Sequence, residues 1–241
     1  MTNLKIILDS KSRQDYIDEM LAKDGLSHVS EDISAAYCPI SLTQTPDEIK
    51  GFLSERQDIL MNQVLRKAGI TAYDPSTAPY SPDTNLTSLP QEVYLVDSSK
   101  IVGARYFVGH NITASTGFGI ELEKAARLNR LAVILSDSNI RVFRMQPHRV
   151  IYLQYDNFEE QAPELVEVFK LLSQYDPGMG IVGNEPVLIG FHRTTGEVVN
   201  LEGLVYTSFP KLKYEYDGQK STLKLQVKNP EVFYERVAQA R

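Results

Sequence analysis

Asp97, Ser115 and Glu121 are separated by eighteen and then six residues, and Gly117 and Gly119 lie between the last two. The stretch Asn111-Ile-Thr-Ala-Ser-Thr-Gly-Phe-Gly-Ile-Glu121 follows a strand-like run and leads into a helix-like run expected to begin near Ile120. Small residues at a helix mouth let a ligand approach the backbone, and the unpaired N–H groups there suit an anion. A carboxylate beside that positive end is expected to stay ionised, the state a nucleophile needs. The chemistry these residue types suggest is a nucleophilic carboxylate beside an anion-holding loop.

Taken singly, each residue also has a structural reading. Glu121 suits a first helical turn, Ser115 an N-cap, the two glycines a tight turn, and Asp97 a solvated helix face. Their joint spacing favours a site. Tyr37, Tyr73 and Asp74, expected at strand ends, and Asn111 are further candidates for ligand contact. Strand-end aromatics equally suit core or rim packing. Arg141, Arg144 and Arg149 form a basic cluster that suits either a phosphate or solvent.

The elements that must position these residues alternate. Strands are expected at 35–41, 70–73, 105–109, 131–135 and 150–153, with helices at 47–67, 91–104, from about 120, and at 162–173. This is the pattern of an α/β domain with a doubly wound, mostly parallel sheet of the Rossmann or flavodoxin-like kind, over residues 34–175. In such a sheet the carboxyl ends of the strands face the ligand crevice. Residues 1–33 read as an N-terminal extension, with an apolar run at Leu4–Leu8 and a helix stop at Lys23-Asp-Gly25. Beyond Asp176-Pro-Gly178, residues 176–241 read as a small antiparallel β appendage. It has strands at 186–191 and 198–206, a hairpin around Asp217-Gly218, and a terminal helix over 231–240.

Composition narrows the function. The formal net charge is −6 over 241 residues, which argues against a nucleic-acid polymer or an anionic membrane as the main partner. No run approaches a membrane span and the start lacks the form of a secretory signal. The one cysteine, Cys38, excludes an intrachain disulfide and fits a reducing cytoplasm. His28, His110, His148 and His192 lack ligand spacing, so no metal is expected.

The run Ser115-Thr-Gly117-Phe-Gly119-Ile-Glu121-Leu122, with Asp97 before it, resembles the nucleoside 2-deoxyribosyltransferase family. It is nearest to the branch of 2'-deoxynucleoside 5'-monophosphate N-glycosidases. Tyr73-Asp-Pro75 also resembles the segment that ends the second strand in many members. The resemblance implies N-glycosidic bond cleavage, by hydrolysis or base exchange, on a nucleoside or nucleoside 5'-monophosphate. Glu121 would be the nucleophile and Asp97 the partner that protonates the departing base or holds the sugar. Ser115, Gly117 and Gly119 would hold a 5'-phosphate or ribose hydroxyl. It further implies no cofactor, and a homo-oligomer in which a neighbour completes each pocket.

Two departures from the family stand out. Arg105 opens the third strand where many members carry an acidic residue. Residues 37–41 lack the phosphate-binding groups of the monophosphate branch. Two alternatives remain open on the same residues: an N-glycosidase that cleaves NAD, and a non-catalytic nucleotide-binding sensor or interaction module.

Overall fold

The computed structural model describes residues 10–41, 45, 47–77, 89–112, 115–138, 150–182 and 185–212. Five strands form one parallel sheet: β1 (Asp32–Tyr37), β2 (Thr71–Tyr73), β3 (Ala104–His110), β4 (Leu131–Asp137) and β5 (Val150–Tyr155), in the order β2-β1-β3-β4-β5. Every residue of β3 and β4 is buried, as expected of central strands covered on both faces. Chain order reverses between β1 and β3, so the crevice over their carboxyl ends is the topological switch point. Tyr37 lies in register with Tyr73 on one side and Phe107 on the other.

Alternation along the strands divides the core in two. Tyr37, Phe107, Ala132 and Ile134 face α1 (Ser10–Lys23), α3 (Pro90–Gly103) and α4 (Thr116–Arg127) through Ile17, Ile101, Phe118 and Leu122. Cys38, Tyr106, Val108, Leu135 and Leu153 face α5 (Phe158–Leu172), α6 (Leu201–Ser208) and the segment that continues α2 (Asp47–Asp58). The sheet is therefore doubly wound. The N-terminal helix packs on the main domain, as Ile17 and Leu26 show. It stops at Gly25, whose φ is 70°.

The expected helix over 47–67 is continuous but changes form. It becomes a π-helix at Ile59–Leu65 and a 3₁₀ turn at Arg66–Ala68. Ile59, Leu60, Val64 and Leu65 are the buried residues, a spacing of five that a wider turn keeps on one face. Gly69, at φ 79°, closes the segment in the left-handed region.

Three expectations are corrected. The helix after β3 starts at Thr116, not near Ile120, because Ser115 caps it: its Oγ accepts from the Phe118 N–H at 3.4 Å. Asp176-Pro-Gly178 is not a break but lies inside β6 (Tyr175–Val182), which pairs antiparallel with β7 (Glu185–His192). β6 is an edge strand, where a proline without an N–H is tolerated. Finally, strand β8 covers only Val198–Asn200; Asn200 then accepts from the Gly203 N–H at 2.9 Å and starts α6. Tyr175, Leu188, Leu201, Val205 and Leu212 join the main core, so this three-stranded sheet shares its apolar interior with the parallel domain. The Leu4–Leu8 run, the Asp217-Gly218 hairpin and the helix over 231–240 lie outside the described residues. No helix among the described residues is long and apolar enough to cross a membrane.

Candidate functional site

Gly109, one residue before the end of β3, decides how close α4 comes to the sheet. A Cβ there would lie 2.4 Å from the Phe118 ring, so only glycine permits this packing. The close approach sets the first turns of α4 beside the ends of β1 and β3. Phe118 meets Phe107 edge to face at 5.6 Å, which fixes the rotation of the helix. Glu121 follows from that rotation.

The hydroxyl of the fully buried Tyr37 donates to Glu121 Oε1 at 3.1 Å. Asp97, half-buried on α3, acts by its charge on both Glu121 and Tyr37, and the Tyr37 hydroxyl also steadies the Asp97 carboxylate. The two carboxylates predicted as acid and nucleophile thus share one environment around one phenol.

The ionisation of Glu121 differs from the expectation. Glu121 was expected to stay ionised at the helix's positive end. It is the sixth residue of α4, beyond the first turn where that field acts. Burial, then the charge of Asp97, push its pKa up to about 8, and the Tyr37 hydrogen bond only partly opposes them. Burial raises Asp97 to about 6, again opposed by Tyr37. With Asp97 raised to about 6 and Glu121 to about 8, the two carboxylates together hold one proton between those limits. Tyr37 is raised far above the usual phenol range by burial and by both carboxylates, so it remains a donor.

Tyr73 stacks on Tyr37 with ring centroids 5.9 Å apart, and the Lys100 ammonium lies 4.9 Å from the centre of the Tyr73 ring. Its ring braces Tyr37. Asp74 is buried, and its Oδ1 accepts from the Ser76 N–H at 2.7 Å, which caps the turn at Pro75–Thr77. Asn111 is buried past the end of β3; its N–H continues the ladder to the Leu135 carbonyl at 2.8 Å, and its side-chain amide meets Ser136 Oγ at 3.4 Å. The Ser115 hydroxyl serves as the helix cap. Gly117 and Gly119 lie exposed in the first turn, and the Gly119 N–H already bonds the Ser115 carbonyl at 3.2 Å. The structure therefore brings Asp97, Glu121, Tyr37 and Tyr73 together, and gives Asp74 and Ser115 local capping bonds. The cluster of Arg141, Arg144 and Arg149 lies outside the described residues.

Sequence reasoning named Tyr37 only as a ligand contact and missed it as the partner of Glu121. Nothing in the spacing of two residues 84 apart signals that bond. It also left aside Arg56, Gln57 and Tyr155, which gather with His110 on the other face of the sheet.

No model of a known protein family matches the chain, and no curated protein matches it in sequence.

Proposed function

We propose that the protein cleaves the N-glycosidic bond of a nucleoside or nucleoside 5'-monophosphate, by hydrolysis or base exchange, with Glu121 as nucleophile. The observation that carries this reading is the convergence of Glu121, Asp97 and the Tyr37 hydroxyl beside the carboxyl ends of β1 and β3. A carboxylate that faces an anomeric carbon stabilises the positive charge of an oxocarbenium-like transition state and can trap it covalently.

In this reading the C1'–N bond breaks as the C1'–Oε bond to Glu121 forms, and the base leaves with a proton from Asp97. Water or an acceptor base then attacks C1'. That step frees the Glu121 carboxylate and returns a proton to Asp97. The cycle needs one proton on the pair, the state held between about pH 6 and about pH 8. In the free protein the proton rests mainly on Glu121, and Tyr37 stabilises the anion that appears when it moves to Asp97. Growing positive charge on the sugar favours that shift.

The resemblance of residues 115–122 to the deoxyribosyltransferases supports the same chemistry. The test is a panel of deoxynucleotides, ribonucleotides, nucleosides and NAD, read as free base released. Release by the unmutated protein and its loss in Glu121→Gln is expected. Tight binding of a nucleotide without release would favour a sensor instead.

A further inference from the structure

The N-terminal helix is tied to the helices that carry the carboxylates by one buried lysine. α1 stops at a tight turn: the Leu26 N–H bonds the Leu21 carbonyl at 2.7 Å, Gly25 takes the left-handed region at φ 70°, and Leu26 is buried. Asp24 sits in that turn and is held by it. Lys124 of α4 is buried, and its Nζ donates to Asp24 Oδ2 at 2.6 Å. The same ammonium donates to the Tyr94 hydroxyl of α3 at 3.3 Å and lies 4.7 Å from the centre of that ring. One cation thus joins α3 and α4 to the end of α1.

The place of this clasp along the helices gives it a bearing on the site. Tyr94 lies three residues before Asp97, and Lys124 three residues after Glu121, spacings that share a helix face. Each carboxylate is therefore about one turn from the clasp on its own helix. Burying an ammonium is costly unless it is paired, so its partners hold it in one geometry. Burial, Asp97 of α3 and the Tyr37 hydroxyl of β1 set the Glu121 pKa, and the charge of Lys124 is not among these causes. Lys124 thus acts on Glu121 through where α3 and α4 stand. A second tie between α4 and α1, from Arg127 to the Tyr16 hydroxyl at 3.1 Å, is exposed and does not touch α3.

We propose that Lys124 is a positioning residue for the carboxylate pair: by clasping Tyr94 and Asp24 it sets the distance between Asp97 on α3 and Glu121 on α4. The N-terminal segment thereby supports the site without reaching it. The inference deepens the function proposed above and rests on the two carboxylates working together. A misplacement of about 1 Å between reacting groups costs about 100-fold in rate, so a clasp one turn away has leverage on turnover.

Carbon NMR of labelled glutamate on the full chain, titrated with pH, reads the pair without turnover. Tyr94→Leu and Lys124→Met release α3 from α4 and weaken the push of Asp97 on Glu121. The Glu121 pKa should fall from about 8 to about 7 in both. The kcat/KM for base release should fall about tenfold with it. Arg127→Met, which loses the exposed contacts to Tyr16 and Glu123, should titrate and turn over as the parent does. If Lys124→Met fails to fold, Tyr94→Leu decides, since Tyr94 is half exposed. The proposal is overturned if Glu121 titrates at its parental value in Tyr94→Leu or if Arg127→Met lowers it equally. It is also overturned if the Glu121 pKa rises in Lys124→Met, the sign of a direct charge effect. A parent that releases no base would count against the proposed function alone, because the titration still decides the clasp.

Discussion

Tyr37 and Glu121 stand 84 positions apart in the chain, and a hydroxyl-to-carboxylate hydrogen bond of 3.1 Å joins them. Tyr37 is held by rings on either side, Tyr73 and Phe107, each 5.9 Å away between centroids. The donor is therefore fixed before any ligand arrives, which is how a half-buried carboxylate keeps one orientation.

Tyr37→Phe keeps both ring contacts and removes the bond. That bond lowers the pKa of Glu121 and of Asp97, so both should rise in the variant. The limbs of the kcat/KM–pH profile are expected to move to higher pH, and the rate to fall about 10-fold to 100-fold. Unchanged limbs would show that the hydroxyl does not govern the pair.

The unmutated protein should give a bell-shaped kcat/KM profile with limbs near pH 6 and pH 8. Asp97→Asn removes the charge that raises Glu121, so the Glu121 pKa should drop. Carbon NMR of labelled glutamate, followed through a pH titration, reads that drop directly. A Glu121 pKa that stays at its parental value would separate the two carboxylates.

The same shift has a consequence for stability. A carboxyl whose pKa is raised on folding contributes stability that is present below its unfolded value of 4.5 and is lost as pH rises through about 8. Glu121→Gln, which never ionises, should match the parent near pH 4.5 and exceed it in Tm at pH 8 and above. Equal Tm values at both ends would mean that Glu121 titrates as it does in water.

Gly109→Ala places a methyl 2.4 Å from the Phe118 ring, so α4 must shift or Phe118 must rotate. A loss of about 1–3 kcal/mol is expected, read by urea denaturation. Base release should fall as well, since the same helix carries Glu121. A variant as stable as the parent would show that β3 and α4 pack more loosely than described.

Far from the site, Glu31 pairs with Arg105 at 2.5 Å and with Arg130, and Arg105 also pairs with Asp176 of β6. The guanidinium side chains are 11% and 9% exposed, so Glu31→Gln takes the paired carboxylate from buried Arg130 and leaves Arg105 with Asp176 alone. A cost of about 1–3 kcal/mol is expected, with Glu31 itself partly solvated. Denaturation of the variant checks it, and base release at low temperature should stay at the parental level.

The alternation of apolar runs made the parallel sheet and its order of elements legible, because strands covered on both faces read as unbroken hydrophobic stretches such as 131–135. The π turn left a trace in the spacing of five between Ile59 and Val64, a distance that an ordinary helix does not favour. Pro177 misled, since an edge strand tolerates what a central strand refuses. At the site, Asp97 and Glu121 were visible through local spacing, whereas the Tyr37 bond and the Gly109–Phe118 contact depend on tertiary packing. The ionisation of Glu121 was misjudged for the same reason: local sequence displays the helix terminus, and only the fold displays burial and the neighbouring charge.

The role of Glu121 is tested most directly by rapid quenching of the protein during turnover, followed by intact-mass measurement and peptide mapping. A pentosyl increment on the peptide that contains Glu121 is predicted, together with its absence, and the absence of released base, in Glu121→Gln. Base released at an undiminished rate by Glu121→Gln, with no increment on that peptide, would contradict the account.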